Sequence, residues 1–290
     1  MSLDLSRREY LAFALVTWAG ISVVWLGTTL PHRDPAARRT KLSRLGVWLT
    51  VAALEALCVA SASIVPWLLI YGGATIAALL EIGRASRAWK TIAASAAIAG
   101  ACAWASSPAS LGVFAAGAVV LFALPFDGRA APRLLAAAAI TACYVSPLFA
   151  LASAGEPRGA MPVAGAVLLL GHASDICSGF GGQWGSARPF RRLSPNKTLL
   201  GYGCGLGGAI ALAVLLRGFA TSMSAERALV TAVATWIVAG AGDLLGSKFK
   251  RIHRIKDFSS LLGPHGGFGD RLDALSPCLS LSLFLWAVTR

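Results

Sequence analysis

Acidic and basic residues are concentrated near the end of the chain. Four of the thirteen acidic residues lie between positions 243 and 273, together with six basic residues and a glycine-rich turn at 263–269. Carboxylates hold hard cations such as Mg²⁺, basic side chains hold phosphates, and glycines let the backbone approach a ligand closely. This mixture is what a metal-bound polyphosphate requires. The charged residues are Asp243, Lys248, Lys250, Arg251, Arg254, Lys256, Asp257, Asp270, Arg271 and Asp273.

A solvated network of salt bridges is the alternative account of so many mixed charges, and it would be favoured for an arbitrary loop. Asp243 argues against it because this residue ends an apolar stretch, where an ionised side chain is costly without a partner or a cation. The glycine-rich turn is a second argument, since a simple salt-bridge network does not need it. We therefore interpret the segment as a candidate binding site.

A second loop, at 181–203, contains the only Gln and the only Asn of the chain, Gln183 and Asn196. Its residues Ser194, Asn196, Lys197 and Thr198 lead directly into an apolar helix, whose first N–H groups can receive an anion. The alternative is a helix cap by Ser194, Asn196 or Thr198, with Arg188, Arg191 and Arg192 acting only on membrane orientation. Both interpretations stay open at this point.

Asp175 ends the apolar stretch that precedes this loop. An ionised side chain inside a membrane costs about 2.5–3.5 kcal/mol at the centre of a span, so Asp175 is predicted to belong to the site. His172, one helical turn earlier, favours a packing role. Glu55, isolated in another apolar stretch, is expected to pair with a neighbouring helix or a second subunit, which leaves a homodimer possible.

The elements that position these residues are predicted to be membrane helices. The chain of 290 residues is 56% hydrophobic and only 13% charged, with a mean hydropathy of +0.68. This composition predicts an all-α polytopic membrane protein, since about 20 apolar residues cross the hydrocarbon core. We predict about ten spans, with eight or nine as alternatives because several are short: 10–30, 45–60, 64–82, 91–105, 109–126, 134–154, 161–177, 199–216, 228–245 and 274–289.

The spans form one integral membrane unit without a separate soluble domain. Residues 1–160 are predicted to be N-terminal membrane helices, and residues 161–290 a catalytic region with loops at 183–198 and 246–273. The glycines at 203, 205 and 208 fit a GxGxxG pattern, but no strand precedes them, so they indicate close helix packing. The six scattered cysteines are interpreted as small core residues rather than disulfides or zinc ligands.

The distribution of Lys and Arg predicts the orientation of the chain. Alternation through ten spans places twenty of the twenty-six basic residues on one face, which the positive-inside rule makes cytosolic. Arg7 and Arg8 are two of the six basic residues left on the other face, and a first helix lying along the membrane surface would remove the conflict for these two. For the basic loop at 31–44, orientation and attraction to anionic lipids are a sufficient explanation. The net charge of +13 therefore predicts membrane lipids, not nucleic acid, as the partner of this face.

The residues between 247 and 273 resemble the signature of a known family. The pattern Ser247-x-Phe249-Lys250-Arg251-x4-Lys256-Asp257-x-Ser259-x2-Leu262-Gly263-x-His265-Gly266-Gly267-Phe268-x-Asp270-Arg271-Leu272-Asp273 is similar, without a gap, to that of the phosphatidate cytidylyltransferases. Residues 194–198 resemble a second element of the family, and Asp175 its upstream polar position. The resemblance covers residues 170–275, whereas the N-terminal half is similar only as a series of spans.

This resemblance implies a membrane enzyme that joins phosphatidate, or a similar lipid phosphate, to CTP, giving CDP-diacylglycerol and pyrophosphate. Mg²⁺, with a second cation as an option, would bind Asp243 and Asp270. The catalytic residues would be Asp243, Asp270, Lys250, Lys256 and Asp257. The substrate-binding residues would be Asp175, Ser194, Asn196, Lys197, Thr198, Ser247, Arg251, His265, Gly266, Gly267, Arg271 and Asp273. The expected location is a bacterial inner membrane, with the site on the cytosolic face.

Two departures from the family pattern keep other functions open. The family commonly has an acid where this chain has Gly246, and an aromatic-acid pair where it has Leu199 and Leu200. One alternative is a CTP-dependent lipid-alcohol kinase, which would transfer the γ-phosphoryl group and leave CDP. The other is a catalytically altered paralogue that acts as a transporter or scaffold.

Overall fold

The computed structural model describes residues 5–30, 34–61, 63–126, 129–154, 160–220, 223–263 and 266–288. Within these residues the chain is a bundle of α-helices without a β-strand, which confirms the predicted all-α class. The helices are α1 (Arg7–Thr29), α2 (Pro35–Ala60), α3 (Val65–Ser86), α4 (Trp89–Ala105), α5 (Ala109–Ala123), α6 (Ala130–Ser153), α7 (Ala160–Gly182), α8 (Leu199–Phe219), α9 (Ala225–Ile252) and α10 (Gly269–Val288).

Eight of these helices are long and apolar enough to cross a membrane. The two exceptions are α4, with 17 residues, and α5, with 15 residues. At about 1.5 Å per residue both fall short of the roughly 30 Å of a hydrocarbon core. The described part of the chain is therefore an integral membrane protein, and its number of potential spans lies at the lower end of the predicted range.

Several helices extend beyond the predicted membrane spans into segments that were expected to be loops, and α2 and α9 extend furthest. Helix α2 begins at Pro35 rather than at 45, because Asp34 caps it and Pro35 fits the first helical position. Helix α9 continues to Ile252 rather than ending at 245, so Lys248, Lys250 and Arg251 are helical. Charged residues end an apolar pattern but not a helix, which explains both errors.

Helix α7 lies at the centre of the bundle and packs against α8, α9, α10, α1 and α2. Of its most apolar window, 89% is buried, against 22% for α1 and 28% for α2. Helix α7 is therefore surrounded by protein, whereas most of the surface of α1 and α2 is left uncovered by the rest of the chain. The polar end of α7, with Asp175, reaches the region where the site residues gather.

The contact between α7 and α8 depends on small residues of α8. A methyl group added at Gly205 would lie 2.9 Å from the carbonyl oxygen of Ser174, and one at Gly208 would lie 2.9 Å from Cys177 Cβ. A methyl group at Gly203 would meet no atom within 4 Å. The predicted packing role therefore holds for Gly205 and Gly208, and it brings the start of α8 against the polar end of α7.

Candidate active site

Asp270, in the first turn of α10, organises the segment between α9 and α10. Its Oδ1 pairs with Lys250 Nζ at 2.6 Å. Its Oδ2 accepts hydrogen bonds from the backbone N–H groups of Phe258 and Gly267, each at 2.9 Å. Both oxygens are thus engaged, and the carboxylate joins the end of α9, the connecting segment and the start of α10.

Glu81 of α3 holds the same segment from the opposite side. Its carboxylate accepts hydrogen bonds from the Ser259 hydroxyl at 2.6 Å and from the N–H groups of Phe268 and Gly269 at 3.0 and 2.8 Å. Glu81 is buried, with 2% of its surface exposed. An anion at the first N–H groups of α10 is favourable, because these groups have no partner within the helix.

Lys197 and Asp243 form an ion pair between the loop before α8 and helix α9. Burial disfavours the charge of the Lys197 ammonium, but the opposite charge of Asp243 and the hydrogen bond to it outweigh burial, so the pKa of Lys197 is raised. Thr198 caps α8 by accepting a hydrogen bond from the Gly201 N–H at 3.0 Å. The structure therefore confirms the helix cap by Thr198 and pairs Lys197 with an acid, while anion binding by this loop stays a prediction.

Three adjoining cavities meet at Asp175. The α8 cavity, of about 240 Å³, is lined by Ser194, Asn196, Lys197, Thr198, Tyr202, Trp236 and Asp243, among others. The carboxylate cavity, of about 280 Å³, is lined by His172, Asp243, Lys250, Asp257, Asp270, Arg271 and Asp273. The α2 cavity, also of about 280 Å³, is lined by Lys41, Arg44, Trp48, Phe180 and Arg271. Asp175 lines all three, so the structure brings it together with residues far away in sequence.

The carboxylate cavity carries an excess of negative charge. Five aspartates line it, including Asp175, and they are accompanied by Lys250 and Arg271 as the cations. Within the described ranges, no three His, Cys, Asp or Glu side chains are arranged to hold a metal ion by themselves. Mg²⁺ is usually bound by one or two carboxylates, with water and substrate phosphates completing its shell. The cavity therefore suits a cation that arrives with a phosphate ligand.

Gly246 leaves room for Asp273 in this cavity. A methyl group at position 246 would lie 2.9 Å from Asp273 Cβ and 3.0 Å from Asp273 Oδ2. The departure at Gly246 thus places a carboxylate from α10 beside the position that a side chain of α9 would otherwise fill. Leu199 and Leu200, the other departure, are exposed and are not among the residues that line the three cavities.

Several predicted site residues lie elsewhere. Arg251 donates a hydrogen bond to the Leu193 carbonyl oxygen at 3.1 Å, and Lys256 is exposed. Ser247 is buried in α9, and Gly266 and Gly267 form the turn that precedes α10. None of these five residues lines the three cavities, so their roles stay predictions. His265 falls outside the described residues.

Glu55 and His172 form a buried polar cluster next to the site. Glu55 Oε1 lies 3.0 Å from His172 Nε2 and accepts a hydrogen bond from the Tyr71 hydroxyl at 2.9 Å. The ring of Trp48 contacts the His172 ring, with centroids 4.9 Å apart. Glu55 therefore pairs with other helices of the same chain, and His172 combines a packing role with a place in the wall of the carboxylate cavity.

Some residues that reach the site from the N-terminal half are not among the predicted site residues. Glu81 is one of them, and for the basic residues Lys41 and Arg44 membrane orientation is a sufficient explanation at the level of sequence. Tyr202 and Trp236, which provide aromatic walls of the α8 cavity, were read only as parts of spans. One signal could have identified Glu81, since it is one of the few acids inside an apolar span.

Comparisons with known proteins identify relatives of this chain. The model of the cytidylyltransferase family matches residues 42–289. A phosphatidate cytidylyltransferase of Helicobacter pylori is 37% identical over 121 residues, which are 39% of this chain and 43% of the relative. One from Aquifex aeolicus is 42% identical over 97 residues, or 33% of this chain and 35% of the relative. The matched segments thus cover less than half of these relatives, and no solved structure matches the chain.

Proposed function

The chain belongs to the cytidylyltransferase family, and we propose that it transfers CMP from CTP to phosphatidate or a similar lipid phosphate. The observation that supports this proposal most is the meeting of three cavities at Asp175, at the polar end of the central helix. Such a junction lets a lipid and a nucleotide approach one point from different directions. The products are CDP-diacylglycerol and pyrophosphate, and the chain acts as a nucleotidyltransferase.

The α8 cavity suits CTP. Tyr202 and Trp236 offer apolar faces for a cytosine ring, and Lys197 offers a cation at the start of a helix. When a triphosphate binds, the Lys197 ammonium can exchange Asp243 for a phosphate oxygen. The cation then lowers the charge repulsion between CTP and a second phosphate.

The reaction is a displacement at the α-phosphorus of CTP. An oxygen of the lipid phosphate forms a bond to this phosphorus, the bond to the β-phosphate oxygen breaks, and pyrophosphate leaves with the electron pair. The lipid phosphate is already an anion, so a general base has little to contribute. Catalysis comes mainly from positioning and from charge neutralisation by Lys197, Lys250 and Arg271.

Mg²⁺ fits the aspartates of the carboxylate cavity. Asp243 and Asp175 would hold it, since both line this cavity and the α8 cavity. Asp270 would first have to exchange Lys250 for the metal, because its second oxygen serves two backbone N–H groups. When bound, Mg²⁺ neutralises phosphate charge and orients the triphosphate.

The test is a transfer assay with purified protein, Mg²⁺ and CTP labelled separately at the α- and γ-phosphates. With phosphatidate as acceptor, the α-label is expected in the lipid and the γ-label in pyrophosphate. A lipid-alcohol kinase would instead move the γ-label to a diacylglycerol acceptor and release CDP. Transfer of the γ-label, or no transfer to either lipid, would contradict the proposal.

A further inference from the structure

The α2 cavity has the opposite charge to the carboxylate cavity. Lys41 and Arg44 of α2 and Arg271 of α10 line it, and among its described lining residues Asp175 is the one acid. The Arg271 guanidinium lies 5.9 Å from the centre of the Trp48 ring, which lines the same cavity. Positive charge on one side of Asp175 and negative charge on the other indicate different ligands for the two cavities.

The α2 cavity is bordered by α1 and α2, the two least buried of the eight long apolar helices. Helices α1 and α2 bury little of their apolar surface, and Val23, Val24 and Leu49 are exposed on their outer sides. The Trp25 ring N–H donates a hydrogen bond to the Lys41 carbonyl oxygen at 3.0 Å, which closes α1 against α2. The Trp25 ring also contacts the Phe180 ring of α7, with centroids 5.4 Å apart. An aromatic wall beside cations is typical of the level of the lipid headgroups.

We propose that the α2 cavity binds the phosphate headgroup of the lipid substrate, with Lys41, Arg44 and Arg271 contacting the phosphate oxygens. This inference rests on the proposed function and assigns one cavity to each substrate. A phosphate monoester carries up to two negative charges and accepts several charge-assisted hydrogen bonds, which three converging cations can supply. The acyl chains extend past α1 and α2 into the bilayer. Asp175 then lies where the lipid phosphate meets CTP.

The experiment compares two double variants of α2 that lose the same charge. Lys41→Gln with Arg44→Gln removes two cations of the cavity, whereas Arg38→Gln with Arg39→Gln removes two exposed cations that do not line it. Equilibrium binding of phosphatidate and of CTP is measured separately, with purified protein in nonionic detergent micelles. Diacylglycerol, which lacks the phosphate, and inorganic phosphate, which lacks the lipid, compete against phosphatidate.

The first variant is expected to bind phosphatidate at least about tenfold more weakly and to bind CTP normally, because two charge-assisted contacts are lost. The control variant is expected to bind both ligands as the unchanged protein does. Neither diacylglycerol nor inorganic phosphate alone is expected to displace phosphatidate at equal concentration. Displacement by inorganic phosphate at that concentration would show an anion site that does not select lipid and would overturn the proposal.

Equal losses in the two double variants would show attraction by surface charge alone, and unchanged phosphatidate binding in the first would also overturn the proposal. If the first variant no longer binds CTP, phosphatidate and CTP binding are measured for the single changes Lys41→Gln and Arg44→Gln. Weaker phosphatidate binding with normal CTP binding supports the proposal, and unchanged phosphatidate binding overturns it. Binding is measured without turnover, so the reaction is tested separately. A protein that binds phosphatidate through Lys41 and Arg44 but releases no pyrophosphate would keep this inference and contradict the proposed reaction.

Discussion

The two ion pairs of the site differ in their surroundings. The side chains of Lys250 and Asp270 are 12% and 8% exposed, whereas those of Lys197 and Asp243 are 17% and 33% exposed. Removing one partner of a buried pair costs about 3–5 kcal/mol, because the other charge is left without compensation. Loss of Asp243 would leave the Lys197 charge without this partner, whereas loss of Asp270 would affect the Lys250 charge and two backbone N–H groups as well. We therefore expect Asp270 to support structure as well as chemistry.

Asp243→Asn and Asp270→Asn are each expected to abolish turnover, but with different effects on stability. Asp243→Asn removes a charged oxygen that faces two cavities and should lower the melting temperature modestly, because Lys197 loses its charged partner. Asp270→Asn should lower it more, because Lys250 and the two N–H groups all lose their charged partner. Transfer activity and thermal unfolding in detergent measure the two effects. Substantial activity after Asp243→Asn would contradict its role in holding the metal, and substantial activity after Asp270→Asn would contradict a role of Asp270 in the reaction.

Lys197→Gln tests whether the loop before α8 belongs to the site. The change removes the charge and keeps a donor, so the Michaelis constant for CTP should rise and the turnover rate should fall. Arg188→Gln is the matched control, because Arg188 lies exposed in the same loop and does not line the α8 cavity. Transfer is measured at limiting and saturating CTP, alongside membrane orientation. Equal and mild effects of the two changes would mean that Lys197 is only an orientation charge.

At the level of elements, neighbouring helices hold the segment between α9 and α10 in place. This segment has little regular secondary structure. Its backbone N–H groups donate hydrogen bonds to two carboxylates, those of Asp270 in α10 and Glu81 in α3. The Tyr144 hydroxyl of α6 adds a hydrogen bond to the Gly269 carbonyl oxygen at 2.8 Å. Helices α3 and α6 thus position a loop that they precede by many residues.

Glu81→Gln is expected to loosen this segment without unfolding the bundle. A carboxylate accepts all three hydrogen bonds, whereas a glutamine amide would direct a donor at N–H groups, and each hydrogen bond to a charged group contributes about 1.5–3 kcal/mol. Turnover should fall, and trypsin should cleave after Arg254 or Lys256 faster. The exposed Glu226→Gln in α9 serves as the control. Lower turnover without faster cleavage would contradict the positioning role, and unchanged turnover would show that the segment does not depend on Glu81.

At the scale of the whole molecule, the site joins both halves of the chain. Helix α7 provides Asp175, α2 provides cations, and α9 and α10 provide most of the aspartates. The predicted boundary at residue 160 therefore does not separate the site from the N-terminal helices, although the boundary itself stays a prediction. The proposed reaction between a lipid and a water-soluble nucleotide requires a site that both substrates can reach.

The orientation of the molecule can be measured by cysteine labelling. The cysteines are free thiols, so they are first replaced, and single cysteines are then introduced at the exposed positions Arg188 and Ser260. An impermeant maleimide is expected to label both only from the cytosolic side, because their loops carry the basic residues. A cysteine at Glu226, in the first turn of α9 and therefore at its opposite end, should be labelled from outside. Labelling of Arg188→Cys by this reagent in intact cells would contradict the predicted orientation.

The helical class, the position of most helices and the main charged motif could all be predicted from the sequence. Apolar stretches of about 20 residues are sufficient to predict a membrane helix, since a helix satisfies its backbone hydrogen bonds within itself and an open strand in lipid does not. The pattern from Ser247 to Asp273 was enough to indicate the family, because the charges and glycines that phosphate chemistry needs lie close together in the chain. Helix ends were predicted less well, since α2 and α9 continue through charged residues.

Only the tertiary structure decided which helices meet at the site. Glu81 lies 178 positions before Ser259 and yet accepts its hydrogen bond, and Lys41 lines a cavity with Asp175 and Arg271. Apolar spans of similar length and composition do not specify their neighbours by pattern, because that choice depends on packing details such as the glycine face of α8. For the same reason, only the packing of α9 against α10 shows that the Asp273 carboxylate lies beside Gly246, where a side chain at position 246 would otherwise lie.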